Sequence, residues 1–408
     1  MKLVLISLDA LFDADLPTMR QLPFFSEFLA HASGCTQVRT VYPALTYPAH
    51  TTLITGTDPA QHGIGHNQPH HPELEASMRP WYWETRQVKV PSLFDAMAEA
   101  GGQCASIFWP VTGKSKSIRW NLPEVIALPG ENQMMKLISY GSPMWLMQME
   151  RRHGAERESY REPHLSDYAA LIARDVIANH APDLTAVHLV DLDDMRHHYG
   201  TFSRMAHQAI VRLDQRAASI WETVQQTPSM EDTIFCLVSD HGQGDVNETV
   251  MLSERLQQLG LGAMFTVQSN GMGAYLYFRD PEEERLHLAE LTAFLKEHKA
   301  ELSALKVYDQ AELKAMGAVQ GVSLAVEAAP GVVYKEGLPQ AKREKATHGF
   351  GPGHPAENCL FAVRGTNIRE QVWLPSMPMR DVAPTLAGLL GLTLPQATGT
   401  DHSRELLR

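Results

Sequence analysis

Short, nearly continuous apolar runs alternate with longer amphipathic segments along most of this chain. The apolar runs occupy residues 3–8, 103–109, 185–190, 233–238 and 358–363. Runs of this kind are typical of strands that are covered on both faces of a sheet. Helical patterns lie between them, at residues 92–101, 164–180 and 204–226. This alternation predicts an α/β fold with a mostly parallel central sheet flanked by helices.

The pattern changes between residues 249 and 345. A helical segment at 251–260 is followed by alternating polar and apolar residues at 273–280 and by a charged helical pattern at 281–302. The segment LAVEAAPGVVYKEG at 324–337 has the pattern of a hairpin. We therefore predict an α/β core formed by residues 1–248 and 346–408, and a smaller α+β insertion formed by residues 249–345.

Composition excludes some classes of partner. The chain has 408 residues and a formal net charge of −12, with no basic block, which argues against a nucleic-acid polymer as partner. No apolar stretch approaches the roughly 20 residues of a membrane helix. The amino-terminal apolar run is broken by Asp9 and predicts a first strand rather than a signal peptide. The four scattered cysteines favour free thiols and a cytoplasmic location. The oligomeric state is not predicted.

Acidic and histidine side chains recur just after the apolar runs. In open parallel sheets the ligand crevice lies beyond the carboxyl ends of the strands, so these distant positions should meet there. Carboxylate and imidazole ligands in this mixture suit zinc or manganese, and two such ions can clamp the attacking and leaving oxygens of a phosphoryl transfer. The residues concerned are Asp9, Asp193, His197, Asp240, His241 and His348.

Thr46 lies in YPALTYPAHTTLITG, where a turn opens a helix. The plain interpretation is a helix N-cap, for which threonine is a favoured residue. The functional interpretation is a nucleophile, because a helix N-terminus presents free N–H groups and a positive dipole to a phosphate. Taken alone, the residues around Thr46 favour the helix cap.

The order of these motifs resembles the alkaline phosphatase superfamily, and within it the nucleotide pyrophosphatase/phosphodiesterase branch. The matching segments run from residue 9 to residue 351 and are SLDAL, LTYPAHTTLITGTDPAQHGIGHN, DLDDMRHHYG, VSDHG and THGFG. The resemblance implies hydrolysis of a phosphoester through a phosphothreonine at Thr46. It also implies that Asn67 donates its amide to the phosphoryl oxygen.

The resemblance implies two divalent ions, zinc or alternatively manganese. One would be held by Asp9, Thr46, Asp240 and His241, and the other by Asp193, His197 and His348. His197 is chosen over the adjacent His198 by counting back from Gly200, where the family has its glycine. The chain departs from the family at Met195 and Arg196, where the branch usually carries a small residue and glycine, and this departure bears on substrate preference.

The predicted substrate is a small phosphoester, and a nucleotide-like phosphoester is one form that it could take. Aromatic residues that could line its pocket are Tyr47, Trp81, Tyr82 and Trp109. No motif places an arginine or lysine beside the phosphate, which favours a diester over a monoester. Four basic side chains could still reach the site: Arg79, Arg86, Lys114 and Lys116.

Other functions of the same superfamily stay open. They are a phosphomonoesterase, a phosphonate hydrolase and a phosphomutase, and a catalytically silent metal-binding protein is a further alternative. The sequence Cys35-Thr-Gln-Val-Arg39 lacks the proline of the related sulfatase motif, so a sulfatase is rejected.

Overall fold

The computed structural model describes residues 1–336 and 344–408. Its strands, in chain order, are β1 (Lys2–Leu8), β2 (Ser33–Arg39), β3 (Cys104–Ile107), β4 (Trp120–Leu122), β5 (Leu184–Leu189), β6 (Thr233–Val238), β7 (Gly244–Asp245), β8 (Glu248–Val250), β9 (Phe265–Ser269), β10 (Gly273–Phe278), β11 (Ala304–Tyr308), β12 (Leu324–Ala328), β13 (Val332–Tyr334), β14 (Ala346–Thr347), β15 (Asn358–Arg364), β16 (Trp373–Leu374) and β17 (Met377–Pro378).

The helices of the same residues are α1 (Leu16–Met19), α2 (Pro23–His31), α3 (Thr46–Thr55), α4 (Pro59–His62), α5 (Leu93–Glu99), α6 (Gln133–Tyr140), α7 (Pro143–His153), α8 (His164–His180), α9 (Asp191–Tyr199), α10 (Arg204–Gln226), α11 (Leu252–Gln258), α12 (Pro281–Glu297), α13 (Gln310–Ala315), α14 (Val382–Leu390) and α15 (Ser403–Leu406). Within the two described ranges, no helix is long and apolar enough to cross a membrane.

The central sheet has the strand order β16-β2-β15-β6-β1-β5-β3-β4, with β17 also paired to β2. Strands β6, β1, β5, β3 and β4 run parallel to one another, whereas β15 is antiparallel to both of its neighbours. The predicted α/β fold with a mostly parallel sheet is therefore confirmed. Strand β2 was not predicted, because its sequence SGCTQVR has too few apolar residues to read as a buried strand.

Two apolar cores cover the two faces of this sheet. On β1, Val4 and Ile6 join a core shared with α2, α8 and α10. The alternate residues Leu3 and Leu5 join a second core shared with α3, α5 and α14. Because successive strand residues point to opposite faces, a run that is apolar at every position can bury both.

Strands β9 to β12 form a smaller antiparallel sheet in the order β11-β12-β10-β9, with an apolar core of its own. The boundaries predicted for the insertion, 249–345, stay a prediction. The predicted hairpin is wrong: β12 pairs with β10 and β11, whereas β13 pairs in parallel with β8. The turn at Gly331 lies beside β8 instead. The Gly331 carbonyl accepts hydrogen bonds from the backbone N–H groups of Asn247 and Glu248. The hairpin's last residue, Gly337, lies outside the described residues.

Candidate metal and phosphoester site

A cavity of about 680 Å³ opens at the carboxyl ends of β1 and β5 and reaches the turn between β9 and β10. The structure brings the predicted site residues together there. Asp240 and His241 are fully buried behind the cavity, on the loop after β6. The other predicted metal-binding and catalytic residues line it directly: Asp9, Thr46, Asn67, Asp193, His197 and His348.

The first group surrounds Thr46. The helix begins at Thr46 itself, with Leu45 as its N-cap, so the threonine hydroxyl is not used as a cap. Its Oγ1 lies 3.2 Å from Nε2 of His241. The same Nε2 lies 3.2 Å from Oδ2 of Asp240 and 3.7 Å from Oδ1 of Asp9. The four residues predicted to hold one ion thus meet around a single point.

The second group lies next to the first. Asp193 and His197 are one helical turn apart on α9, with Nε2 of His197 3.4 Å from Oδ2 of Asp193. Nε2 of His348 lies 3.9 Å from Oδ1 of Asp193. The ligand atoms of Asp193, His241 and His348 all lie within 4.8 Å of one another. His241 therefore stands between the two groups, with its ring stacked on that of His348 at 3.9 Å.

The first group fits a divalent cation. Asp9 Oδ1 and Asp240 Oδ2 are buried and have no hydrogen-bond partner among the described residues. Burial, together with the charge of Asp193, raises the pKa of Asp9 to about 7. Burial and the charge of Asp9 raise the pKa of Asp240 well above its usual range. A cation between these oxygens would remove the cost of burying unpaired carboxylates.

Two of the three histidines, His241 and His348, are in a suitable state for ligation. Burial, with the nearby His348, lowers the pKa of His241 well below its usual range. Burial also lowers the pKa of His348, although Asp193 opposes it. A neutral imidazole is the form that binds metal. Burial would also lower the pKa of His197, but the adjacent Asp193 outweighs it and raises that pKa to about 9, so a metal would have to displace this proton.

Asn67 is held in one orientation. Its side-chain Oδ1 accepts the backbone N–H of Tyr47 at 3.0 Å. Because the oxygen is used in this way, the Nδ2 amide is the end left for a ligand in the cavity that Asn67 lines. This orientation suits the donor role implied by the resemblance.

His188 and Glu124 were missed by sequence reasoning. His188 is fully buried on β5, with Nε2 2.9 Å from Asp9 Oδ2 and Nδ1 2.8 Å from Glu124 Oε2. It therefore holds one oxygen of Asp9 and leaves Oδ1 facing Asp240 and His241. A signal was present: a histidine within the apolar run TAVHLV, predicted to be covered on both faces, needs buried polar partners.

Only part of the predicted aromatic pocket lines the cavity. Trp81 does, but Tyr47 and Trp109 are fully buried and do not line it, and neither does Tyr82. The Tyr47 ring packs edge-on against Trp81 at 5.2 Å, and the Trp109 ring packs against His50 at 4.9 Å. Position in the sequence did not reveal which of these aromatic side chains face the cavity. The apolar wall is instead formed mainly by Phe108, Val125, Ile126, Leu137, Tyr160 and Leu165.

None of the four basic residues considered from the sequence lines the cavity. Arg79 pairs with Glu336, while Arg86 and Lys114 both pair with Glu84. Lys116 also lies away from the cavity. The lysine that does line it, within the described residues, is Lys335, directly after β13.

Arg196, one of the two residues at which the chain departs from the family pattern, lies on α9 and points away from the cavity. It is fully buried, with Nη2 2.6 Å from Asp15 Oδ1 and Nη1 bonded to the Ala10 carbonyl. Its guanidinium lies over the Phe12 ring. Arg196 therefore ties α9 to the segment after β1 and does not contribute a charge to the substrate.

Comparisons with known proteins identify the family of this chain. The sequence model described as type I phosphodiesterase/nucleotide pyrophosphatase matches residues 3–350. Human ectonucleotide pyrophosphatase/phosphodiesterase family member 1 is 22% identical over 250 residues, which cover 58% of this chain and 23% of that protein. The bovine family member 3 is 20% identical over 213 residues, covering 50% of this chain and 20% of that protein. The match thus spans less than a quarter of these relatives.

Solved structures show the same fold. Murine ectonucleotide pyrophosphatase/phosphodiesterase 5 superposes with a TM-score of 0.72 at 17% identity, covering all of both chains. An inactive form of that murine protein, in complex with AMP, superposes equally well. The human protein of the same name gives a TM-score of 0.70 at 18% identity over 98% of this chain and 97% of that one.

Proposed function

Because the chain belongs to the type I phosphodiesterase/nucleotide pyrophosphatase family, whose members hydrolyse phosphoric ester bonds, we propose that it cleaves nucleotide-type phosphodiesters through a phosphothreonine at Thr46. The observation that carries the proposal is the position of the Thr46 hydroxyl. It lies at the start of α3, lines the cavity and faces the cluster of Asp9, Asp240 and His241.

Two divalent ions, which we propose to be zinc, would supply positive charge at the attacking and leaving oxygens and would lower the pKa of the Thr46 hydroxyl. Thr46 Oγ1 attacks phosphorus, the bond to the leaving oxygen breaks on the opposite side, and water then hydrolyses the phosphothreonine. Asn67 donates its amide to a non-bridging oxygen, where negative charge grows during attack.

The cavity suits a substrate with an apolar planar substituent. Trp81, Phe108 and Tyr160 line it together with aliphatic side chains. An aromatic wall of this kind can stack a nucleobase. The murine relative is described in complex with AMP, which supports the same substrate class for this chain.

A second candidate, phosphomonoester hydrolysis, is favoured by Lys335. The preference for a diester rested on the absence of a cation near the phosphate, and Lys335 lines the same cavity. A monoester carries nearly two negative charges on the reacting phosphate, and a lysine beside it would favour that substrate.

The test compares kcat/KM for p-nitrophenyl esters that differ only in ester class: a diester, a monoester and a phosphonate, each with added zinc or manganese. We expect a clear preference for the diester. Thr46→Ala should remove nearly all turnover, and Thr46→Ser should retain part of it because the hydroxyl survives. A wild-type rate in Thr46→Ala would contradict the phosphothreonine, and a preference for the monoester would favour the second candidate.

A further inference from the structure

A buried glutamine contacts one of the residues predicted to bind metal. Gln243, on the loop after β6, is 1% exposed. Its Nε2 lies 2.5 Å from Oδ1 of Asp193 and 3.2 Å from the Asp193 carbonyl oxygen. A carbonyl and an ionised carboxylate accept hydrogen bonds and cannot donate them, so the nitrogen of the amide, not its oxygen, must face Asp193. One amide group therefore bonds both the side chain and the main chain of the same residue.

The oxygen of that amide is unpaired. Gln243 Oε1 is buried and has no hydrogen-bond partner within residues 1–336 and 344–408. A buried acceptor without a partner costs free energy, and an apolar side chain of the same length would avoid that cost. Stability alone therefore does not explain a glutamine at this position. What the amide adds is its pair of hydrogen bonds to Asp193.

Those hydrogen bonds fix the Asp193 carboxylate between two histidines. Its Oδ2 lies 3.4 Å from Nε2 of His197, and its Oδ1 lies 3.9 Å from Nε2 of His348. A carboxylate without a donor at Oδ1 could rotate about its bond to the rest of the side chain. Because Gln243 bonds both Oδ1 and the main-chain carbonyl, the carboxylate keeps one orientation relative to α9. Groups that hold a metal ligand in this way raise the affinity for the metal.

The segment that carries Gln243 also meets the strand next to His348. Strand β7 begins at the residue after Gln243 and pairs with β14, and His348 directly follows β14. The carbonyl of Ala346 on β14 accepts a hydrogen bond from Nδ1 of His197 at 2.9 Å. The position of Asp193 relative to the two histidines is therefore set by this segment and its partner strand, and Gln243 supplies the contact with Asp193.

We propose that Gln243 is a positioning residue, which holds the Asp193 carboxylate in place for the second divalent ion. The inference rests on the two-ion site of the proposed function. Gln243 does not line the catalytic cavity, so it touches neither the substrate nor the ion and acts only through Asp193. The first ion, whose predicted ligands surround Thr46, should therefore not depend on it.

The test is a zinc titration of the metal-free protein, followed by calorimetry at constant pH. Gln243→Met keeps the length of the side chain and removes the donor. The wild type should bind two ions. In Gln243→Met one of the two should bind about 10- to 100-fold more weakly, the usual effect of losing a group that orients a metal ligand, and the affinity for the other should be unchanged. With a diester substrate, the zinc concentration for half-maximal turnover should rise by a similar factor.

Thermal unfolding separates positioning from a general structural role. Gln243→Met should lower the Tm of the zinc-loaded protein more than that of the metal-free protein, because an ion that binds more weakly stabilises the native state less. An equal decrease in both states, with both zinc affinities unchanged, would show a structural role instead and overturn the proposal. Thr201→Val is the matched control, because it removes a hydroxyl 3.5 Å from the Gln243 carbonyl and leaves the hydrogen bonds to Asp193 in place. Its zinc affinities should match those of the wild type.

Results from other variants could also overturn the proposal. Asp193→Ala should bind a single zinc ion, and adding Gln243→Met to it should leave the affinity for that ion unchanged. Weaker binding in the double variant would show that the amide supports the first site instead. Equal losses in Thr201→Val and Gln243→Met would assign the effect to the loop as a whole.

Failure of this inference is distinguishable from failure of the proposed function. If the wild type took up one zinc ion or none, the two-ion part of the proposed function would fail, and the inference with it. Two ions in the wild type, bound with unchanged affinity in Gln243→Met, would refute only the role of Gln243.

Discussion

Replacing Asn67 tests most directly whether its side-chain amide stabilises the negative charge that grows on the phosphoryl oxygen. The side-chain Oδ1 is engaged by the Tyr47 N–H at 3.0 Å, which leaves Nδ2 as the donor for a phosphoryl oxygen. Asn67→Ala removes that donor. The usual loss for one such donor is about 10²–10³ in kcat, or about 2.7–4 kcal/mol in the barrier. We expect a decrease of that size for an aryl diester at saturating metal.

Asn67→Ala also removes the acceptor for Tyr47 N–H, so it alone cannot separate catalysis from support of α3. Asn67→Asp separates them, because the carboxylate keeps an acceptor for Tyr47 and replaces the Nδ2 donor with an oxygen. If the donor is what matters, Asn67→Asp should be at least as slow as Asn67→Ala.

The assay is kcat/KM for bis(p-nitrophenyl) phosphate, with thermal unfolding measured on the same preparations. We expect the alanine variant to lose roughly 1 kcal/mol of stability, the usual net contribution of one hydrogen bond, and the aspartate variant to lose less. Near-wild-type kcat/KM in Asn67→Asp would refute the donor role and leave Asn67 as a support for Tyr47.

Three further predictions concern metal and stability. Elemental analysis should find two divalent ions per chain at saturation, and chelation should abolish activity reversibly and lower the Tm, because ligands from distant segments are tied together; one ion or fewer would contradict the two-ion site. Metal affinity, measured by zinc titration, should fall as the pH falls below about 9, where His197 takes up a competing proton, and should fall more steeply through about 7, where the Asp9 carboxyl also takes one up; a profile that does not steepen between pH 8 and 6 would argue against Asp9 as a ligand. Arg196→Met should cost about 3–5 kcal/mol in urea unfolding, because it leaves the buried Asp15 without its partner, and adding Asp15→Asn should recover part of that loss.

The fold was largely predictable because burial on both faces leaves a strong signal. The apolar runs at 3–8 and 233–238 became β1 and β6, and the amphipathic pattern at 204–226 became α10. The sequence contains no comparable signal for which strands pair with each other. The apolar runs around Pro330 have the same pattern whether they pair with each other or with distant strands, and here β13 pairs with β8.

The site was predictable where ligands follow strands in a fixed order. Asp9 and Asp240 come just after β1 and β6, and the parallel pairing of these strands brings them to one edge of the sheet. His188 lies inside a strand rather than after one. Its role depends on its contact with Glu124, a residue on the loop after β4, and no local pattern links the two.

Lys335 shows why charge at such a site is difficult to predict from sequence. It belongs to no motif, and it reaches the cavity only because β13 pairs with β8 and the Tyr334 N–H bonds the Gly271 carbonyl. Acidic groups otherwise dominate the lining: Asp9, Glu124, Glu162, Asp193 and Glu344. An anionic substrate can enter such a cavity only if bound cations reverse its potential. We therefore expect metal loading to precede substrate binding.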